Sequence, residues 1–175
     1  MKDKLPVRKN HRLPKHNYAM PGSYFITICT DKRKNILSRI VGAGSARPRK
    51  ITVDLSPFGK IVNDVILDIP QKYEDLSVDY YVIMPNHVHL ILSKASRFGR
   101  VDPAPTVETN LLDAVAWLKF ISAKRINSSI ENSVVIWQRS FYDHVIRNEQ
   151  DYYEIAKYIE ENPLVWEEDT LYMAD

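Results

Sequence analysis

The 175-residue sequence lacks several features that would assign it to familiar protein classes. Its single cysteine, Cys29, cannot form a disulfide within the chain, so a reducing, cytoplasmic location is expected. It has no apolar run of about 18 residues, so no membrane span is predicted, and its N-terminus lacks the apolar segment of a secretory signal. Glycine is scarce, and Gly42 and Gly44 are not followed by the Lys-Ser/Thr pair of a phosphate-binding loop.

Charge is unevenly distributed along the chain, although the formal net charge is only +2. Residues 1–16 contain six Lys/Arg and one Asp, whereas residues 149–175 contain nine acids and one lysine. A basic arm on a nearly neutral domain indicates an anionic partner, most often a nucleic acid. A disordered, solubilising tail would carry the same charges.

The apolar pattern predicts one α+β domain at residues 23–166, between a basic arm at 1–22 and an acidic tail at 167–175. Ser56 and Pro57 have the residue types of a helix N-cap and first turn. The predicted order is a ferredoxin-like βαββαβ plan with an antiparallel sheet and an extra C-terminal helix. Strands are expected at 23–30, 77–84, 87–93 and 133–138, with a short strand or β-extension at 50–56, helices at 56–73, from Thr106 to about 126 and at 151–162, and loops at 31–50 and 139–150.

Two histidines, His87 and His89, lie one residue apart in the apolar stretch YYVIMPNHVHLILSKA, residues 80–95. Side chains alternate across a strand, so both rings point to one face, about 6.5–7 Å apart along it. Two neighbouring imidazoles can share a divalent metal ion. Two separately hydrogen-bonded histidines would give the same pattern, and a third ligand has to come from another part of the chain.

The C-terminal helix is the richest source of a third ligand, because it carries Glu154, Tyr158, Glu161 and Asn162. Tyr158 shares a helical face with Glu154 and Asn162, because residues four apart lie on one side of a helix. Pro163 disfavours helical backbone at Asn162, so Glu161 remains an alternative ligand. Considered alone, Tyr158 has the character of an ordinary packing residue.

Together, the segments MPNHVHLIL and WQRSFYDHVIRNEQDYYEIAKYIEENP resemble the REP-associated tyrosine transposases. These belong to the single-strand DNA transposases that have a His-hydrophobic-His metal site and one catalytic tyrosine. The resemblance covers residues 18–166. It implies that His87, His89 and Asn162 bind Mg²⁺ or Mn²⁺ and that Tyr158 is the nucleophile. It also implies a 5′-phosphotyrosine intermediate on single-stranded, hairpin-forming palindromes, and a monomer or homodimer.

Basic side chains are candidates for DNA contacts, since phosphates attract lysine and arginine. The candidate DNA contacts are Arg8, Lys9, Arg12 and Lys15 on the arm, and Arg139, His144 and Arg147 before the last helix.

Two alternative functions remain open. One is a domesticated, sequence-specific DNA-binding protein or nickase without transposition. The other is a metal-dependent hydrolase in which the two histidines and a carboxylate activate water. The acidic tail is a candidate for folding back over the active site or the basic surface.

Overall fold

The computed structural model describes residues 16–42, 51–96 and 109–174. The predicted mixed class with an antiparallel sheet is confirmed. None of the helices in these described ranges is long and apolar enough to cross a membrane. The elements are β1 (Gly22–Cys29), β2 (Ser38–Val41), β3 (Thr52–Leu55), α1 (Pro57–Leu67), α2 (Ile69–Lys72), β4 (Leu76–Ile83), β5 (His87–Lys94), α3 (Leu111–Asn127), β6 (Tyr142–Ile146) and α4 (Glu149–Glu161), with 3₁₀ turns at Asp31–Arg33 and Asn162–Glu168.

Four strands form the main sheet in the order β4-β5-β1-β6, and every neighbouring pair is antiparallel. β2 and β3 form a separate two-stranded hairpin. In the central pair of strands, His89 lies opposite Thr27 and His87 lies opposite Cys29. Both histidines therefore lie on a central strand of the sheet, His89 between Thr27 of β1 and Val82 of β4, and His87 at the first position of β5.

Two apolar clusters cover the two faces of the sheet. The first cluster joins α1 and α3 to alternate residues of β1 and β5, among them Val88 and Leu90. The second cluster joins α4 to the opposite face through Ala156 and Ile159, which pack with Ile91. Because side chains alternate along β5, both histidines face α4.

Local sequence signals set the start of α1 as predicted. Ser56 is the N-cap, and its Oγ accepts a hydrogen bond from the backbone N–H of Gly59 at 3.0 Å. Gly59 lies against the backbone of Leu37, since a Cβ there would be 2.0 Å from the Leu37 carbonyl oxygen. A side chain at this position would push α1 away from the loop that precedes β2.

The predicted strand at 133–138 is wrong, and so is the loop predicted at 139–150. Val134 and Val135 have strand-like residue types, but they are 48% and 68% exposed and belong to no strand. The fourth strand is β6, whose polar residues concealed it in the sequence. Asp143 is buried there and accepts a 2.5 Å hydrogen bond from the hydroxyl of Tyr18, which is how the sheet accommodates it.

Other elements also differ from the sequence prediction, since the helix predicted at 56–73 is divided into α1 and α2 and the last helix begins at Glu149 rather than at residue 151. β2 was not predicted, because it lies in a stretch expected to be a loop. The second long helix begins at Leu111, where the Asn110 side chain accepts a hydrogen bond from the Leu112 N–H at 2.9 Å. The predicted cap, Thr106, lies outside the described residues.

Candidate active site

Both histidines of β5 are buried, with 0% and 2% of their surface exposed, and their ring centroids are 4.4 Å apart. The prediction that they share one face is confirmed. Each Nδ1 atom has a polar partner at 2.8 Å, which is Asn86 Oδ1 for His87 and Thr27 Oγ1 for His89. The Nε2 atoms are therefore the ones through which the pair can bind a ligand.

Asn86 fixes the proton on His87. Its Nδ2 donates to the carbonyl oxygens of Arg33, at 3.3 Å, and Leu171, at 2.8 Å. Its Oδ1 can only accept, so the proton of the neutral ring lies on His87 Nδ1 and the lone pair on Nε2. That buried Nε2 has no hydrogen-bond partner among the described residues. A buried acceptor without a partner is costly unless a ligand binds it.

Burial keeps both rings neutral at pH 7. Desolvation, followed by the nearby charge of Arg33, lowers the pKa of His87 to about 3. Desolvation, followed by His87, also holds the pKa of His89 well below its usual value. Neutral imidazole is the form that binds a metal ion, so protons do not compete for these sites near neutral pH.

Helix α4 brings Tyr158 to the histidine pair. The Tyr158 hydroxyl lies 3.2 Å from His89 Nε2, and the tyrosine ring meets Phe25 edge-on at 6.0 Å. Helix α4 and the histidine strand β5 therefore meet in space, which the sequence alone could not establish. Burial, with a smaller contribution from the charge of Asp169, raises the pKa of Tyr158. The phenol is consequently protonated at neutral pH and needs activation before it can act as a nucleophile.

The neighbouring tyrosines have different surroundings. Tyr152 donates to Asp79 Oδ2 at 3.0 Å, and burial together with this bond raises its pKa to about 12. Tyr153 is exposed on α4, and Tyr142 lies at the edge of the cleft that also contains Tyr158. Within the described ranges, Tyr158 alone among these tyrosines is hydrogen-bonded to a histidine of the pair.

Asn162, the expected third ligand, is buried about one helical turn after Tyr158. It ends α4 as expected, but it keeps helical dihedral angles, φ −52° and ψ −41°, despite Pro163. Its Nδ2 donates to Asp169 Oδ2 at 2.7 Å, and its Oδ1 is buried with no hydrogen-bond partner among the described residues. Glu161, the alternative ligand, is exposed and lies 3.8 Å from Lys157 Nζ.

Asp169 completes a cluster that sequence reasoning missed. One potential ligand atom from each of His87, His89 and Asp169 lies within 4.8 Å of the others. Asp169 belongs to the acidic tail, where nothing distinguishes it from its neighbours. The tail folds back over the site, and the Trp166 ring lies 5.8 Å from that of His87. The hypothesis of a folded-back tail was the only sequence signal that pointed towards Asp169.

An open cleft of about 430 Å³ adjoins this cluster. Tyr158, His89 and Arg33 lie on its walls, together with Phe141 and the tail residue Leu171. The cleft therefore places the tyrosine hydroxyl, an imidazole and a guanidinium around one space that is accessible from solvent. Arg33 was not identified from the sequence, because it lies in a loop without a recognisable motif.

The predicted DNA contacts are dispersed around the domain. His144 Nε2 lies 3.0 Å from Asp151 Oδ2, which also accepts the Arg147 backbone N–H at 3.3 Å near the start of α4. Arg139 lines a different groove beside α3. Their role in DNA binding stays a prediction. Four further candidates lie outside the described residues: Arg8, Lys9, Arg12 and Lys15.

The chain is similar to a protein known from its sequence and to a solved structure. No protein-family model matches the chain. An uncharacterized protein of Haemophilus influenzae (strain ATCC 51907 / DSM 11121 / KW20 / Rd) is 30% identical over 176 residues, which cover 95% of this chain and 93% of the other. The solved structure of a REP-associated tyrosine transposase bound to a REP hairpin matches with a TM-score of 0.57 and 19% identity, over 87% of this chain and 73% of the other. This similarity shows that the chain shares the mixed fold of that transposase, with its antiparallel sheet.

Proposed function

Since this chain belongs to one family with the Haemophilus influenzae protein and has the fold of a REP-associated tyrosine transposase, we propose that it is a metal-dependent single-strand DNA transposase or endonuclease. Its proposed substrate is a hairpin formed by a palindromic, REP-like sequence. The observation that carries the proposal is the 3.2 Å contact between the Tyr158 hydroxyl and His89 Nε2, beside the cluster completed by His87 and Asp169.

The ligand set fits a divalent cation. His87 Nε2 and Asn162 Oδ1 are both buried without hydrogen-bond partners among the described residues, and Asp169 of the tail supplies a negative charge beside them. Nitrogen and oxygen ligands of this kind suit Mn²⁺ and, more weakly, Mg²⁺. Such an ion would polarise the scissile phosphate and offset the charge that develops in the transition state.

Tyr158 is the proposed nucleophile. Its oxygen would form a bond to phosphorus while the bond to the 3′ oxygen breaks, which leaves a 5′-phosphotyrosine and a free 3′-hydroxyl. The phenol proton would pass to solvent through the open cleft, and the departing oxygen would take up a proton. One phosphodiester replaces another, so the strand can be rejoined without ATP. His87 and His89, fixed by Asn86 and Thr27, would hold the metal in register with the tyrosine.

The experiment uses fragmented, single-stranded genomic DNA from the source organism, which contains any natural target. The protein is incubated with this DNA and Mn²⁺, and covalent complexes are recovered under denaturing conditions and sequenced. We expect adducts at bases flanking palindromes. Tyr158→Phe should abolish the adduct and leave DNA binding unchanged, whereas Tyr153→Phe, which alters an exposed tyrosine of the same helix, should behave like the wild type. An adduct formed by the Tyr158 variant would refute the assignment.

A second candidate function is a metal-dependent hydrolase. The observation that favours it is the cluster itself, because two histidines and the carboxylate of Asp169 can also activate water. This function predicts cut DNA with no covalent adduct and little effect of Tyr158→Phe. Specific DNA binding with neither cutting nor an adduct would instead indicate a domesticated DNA-binding protein.

A further inference from the structure

Arg33 is held in an unusual backbone conformation at the edge of the candidate site. Lys32 and Arg33 have φ values of 54° and 55°, the left-handed region that residues other than glycine rarely adopt. The conformation is fixed at both ends: the Arg33 N–H donates to the Thr30 carbonyl at 3.1 Å, and its own carbonyl accepts from Asn86 Nδ2. Such conformations persist where surrounding contacts determine them, and they concentrate at functional sites.

The side-chain amide of Asn86 therefore orients both Arg33 and His87. Asn86 is completely buried, and its Oδ1 accepts from His87 Nδ1 while its Nδ2 binds the Arg33 carbonyl. Any shift of the 3₁₀ turn would be passed through this amide to the imidazole. The turn and the histidine pair thus form one positioned unit rather than two independent segments.

The guanidinium of Arg33 has almost no protein partner. Its one hydrogen bond among the described residues runs from Nη1 to the Thr170 carbonyl, at 3.4 Å. None of the described carboxylates forms a salt bridge with it. By contrast, Arg125 lies 3.0 Å from the carboxylate of Asp68. A guanidinium has five N–H donors, so most of the donors of Arg33 remain available to a ligand in the cleft.

We propose that Arg33 binds the scissile phosphate and stabilises it during attack by Tyr158, an inference that rests on the proposed function. Arg33 and Tyr158 line the same cleft, so a phosphate within reach of the tyrosine oxygen is also within reach of the guanidinium. The planar fork of arginine pairs with two non-bridging phosphate oxygens. The long contact with the Thr170 carbonyl would be replaced by these charge-assisted bonds.

The position of Arg33 separates its role from that of the metal cluster. The candidate metal ligands His87, His89 and Asp169 approach from β5 and the tail, whereas Arg33 approaches from the turn after β1. A phosphate held between them would have positive charge on two sides, while Tyr158 attacks from α4. Donors aimed at developing charge commonly account for rate factors of about 10²–10³.

The test compares Arg33→Gln, Arg33→Lys and Lys32→Gln. Lys32 is the matched control, because it shares the left-handed turn and the positive charge but has an exposed side chain. Three quantities are measured for each protein: Mn²⁺ affinity by calorimetry, the rate of adduct formation on a DNA fragment recovered by covalent capture, and affinity for the hexathymidylate dT6. The last probe carries phosphates but no palindrome, so it does not depend on cleavage.

For Arg33→Gln we expect unchanged Mn²⁺ affinity, an adduct rate reduced about 100-fold and weaker dT6 binding with a salt slope smaller by about 0.7. Arg33→Lys should restore the salt slope but not the rate, since it keeps the charge without the fork. Lys32→Gln should retain the wild-type adduct rate. If Arg33→Gln forms the adduct at the wild-type rate, the inference fails and the proposed function stands.

The experiment also distinguishes the proposed function from the proposed role of Arg33 when no adduct forms. If the wild type forms no adduct on any DNA, the proposed cleavage fails, and dT6 binding then decides the role of Arg33. Weaker dT6 binding by Arg33→Gln than by Lys32→Gln would support a phosphate site at Arg33. Equal binding by the two variants would overturn it.

Discussion

Replacing Asn86 with alanine tests how the site is organised. The variant removes three hydrogen bonds: one that Asn86 accepts from His87 and two that it donates to the carbonyls of Arg33 and Leu171. The buried His87 Nδ1 loses its partner, at a cost of about 1–3 kcal/mol, and each partly exposed carbonyl loses about 0.5–1.5 kcal/mol. The free energy of unfolding should therefore fall by about 2–6 kcal/mol. At about 2–4 °C per kcal/mol, the Tm should fall by at least about 4 °C.

The effect of this variant on metal binding is the sharper test. Without Asn86, His87 is free to place its proton on Nε2, and the loss of such a supporting hydrogen bond weakens metal binding by about 10–100-fold. At a Mn²⁺ concentration of about 100 times the wild-type Kd, the metal stabilises the wild type by about 2.7 kcal/mol. The same concentration should stabilise the Asn86→Ala protein by only about 0.4–1.4 kcal/mol.

Thermal unfolding with and without Mn²⁺, together with calorimetric titration of Mn²⁺, measures both effects. Asn63→Ala is the matched control, because it removes a single 2.9 Å hydrogen bond, from the Tyr81 hydroxyl, at a position on α1. It should cost about 0.5–1.5 kcal/mol and leave Mn²⁺ affinity unchanged. If the two variants bind Mn²⁺ equally well, the argument that Asn86 fixes the ligand atom of His87 is refuted.

The metal-free protein, in EDTA, should lose stability as the pH falls from 6.5 towards 3, because the unfolded His87 gains a proton near pH 6.5 and the folded ring only near a pKa of about 3. Between pH 7 and pH 5, this single group should lower the free energy of unfolding, measured by urea denaturation, by about 2 kcal/mol. A His87→Gln protein whose stability has the same pH dependence would contradict the assignment. Asp169→Asn should weaken Mn²⁺ binding at least about 10-fold because the site loses its charged ligand, whereas Glu161→Gln, which alters an exposed carboxylate, should have no effect. Calorimetric titration of the two variants with Mn²⁺ measures this difference. Equal Mn²⁺ affinities would show that Asp169 is not a metal ligand.

The parts of the site that the sequence predicted follow simple periodic rules. Alternation along a strand placed His87 and His89 on one face, and helical spacing placed Tyr158 and Asn162 together. Both rules act within one secondary-structure element, so neither needs knowledge of the fold. The resemblance to a transposase family then linked the two elements, and the 3.2 Å contact between Tyr158 and His89 is the distance that those rules could not supply.

The parts that the sequence did not predict depend on contacts between elements. Asp169 reaches the histidines because Trp166 packs against His87, and no local pattern encodes that contact. Arg33 faces the cleft from a left-handed turn that contains no glycine to signal it. Asn86 was not singled out from the sequence, although its amide joins three segments of the chain. β6 was overlooked because Asp143 is satisfied by a residue 125 positions away in the sequence.

The tail supplies a candidate metal ligand and also lines the cleft. Truncating it would remove both features, with opposite effects on DNA affinity. Asp169 belongs to the candidate metal cluster, while the neighbouring Thr170 and Leu171 line the cleft where DNA would lie. Cutting the chain after residue 164 would therefore remove a ligand and open the cleft at once, so a change in DNA affinity would have two competing causes. Asp169→Asn removes the charge but leaves the backbone of the tail in place. Comparing it with the truncation separates the two effects: a truncated protein that binds DNA more tightly than Asp169→Asn, at equal Mn²⁺ occupancy, would show that the tail also restricts access to the cleft.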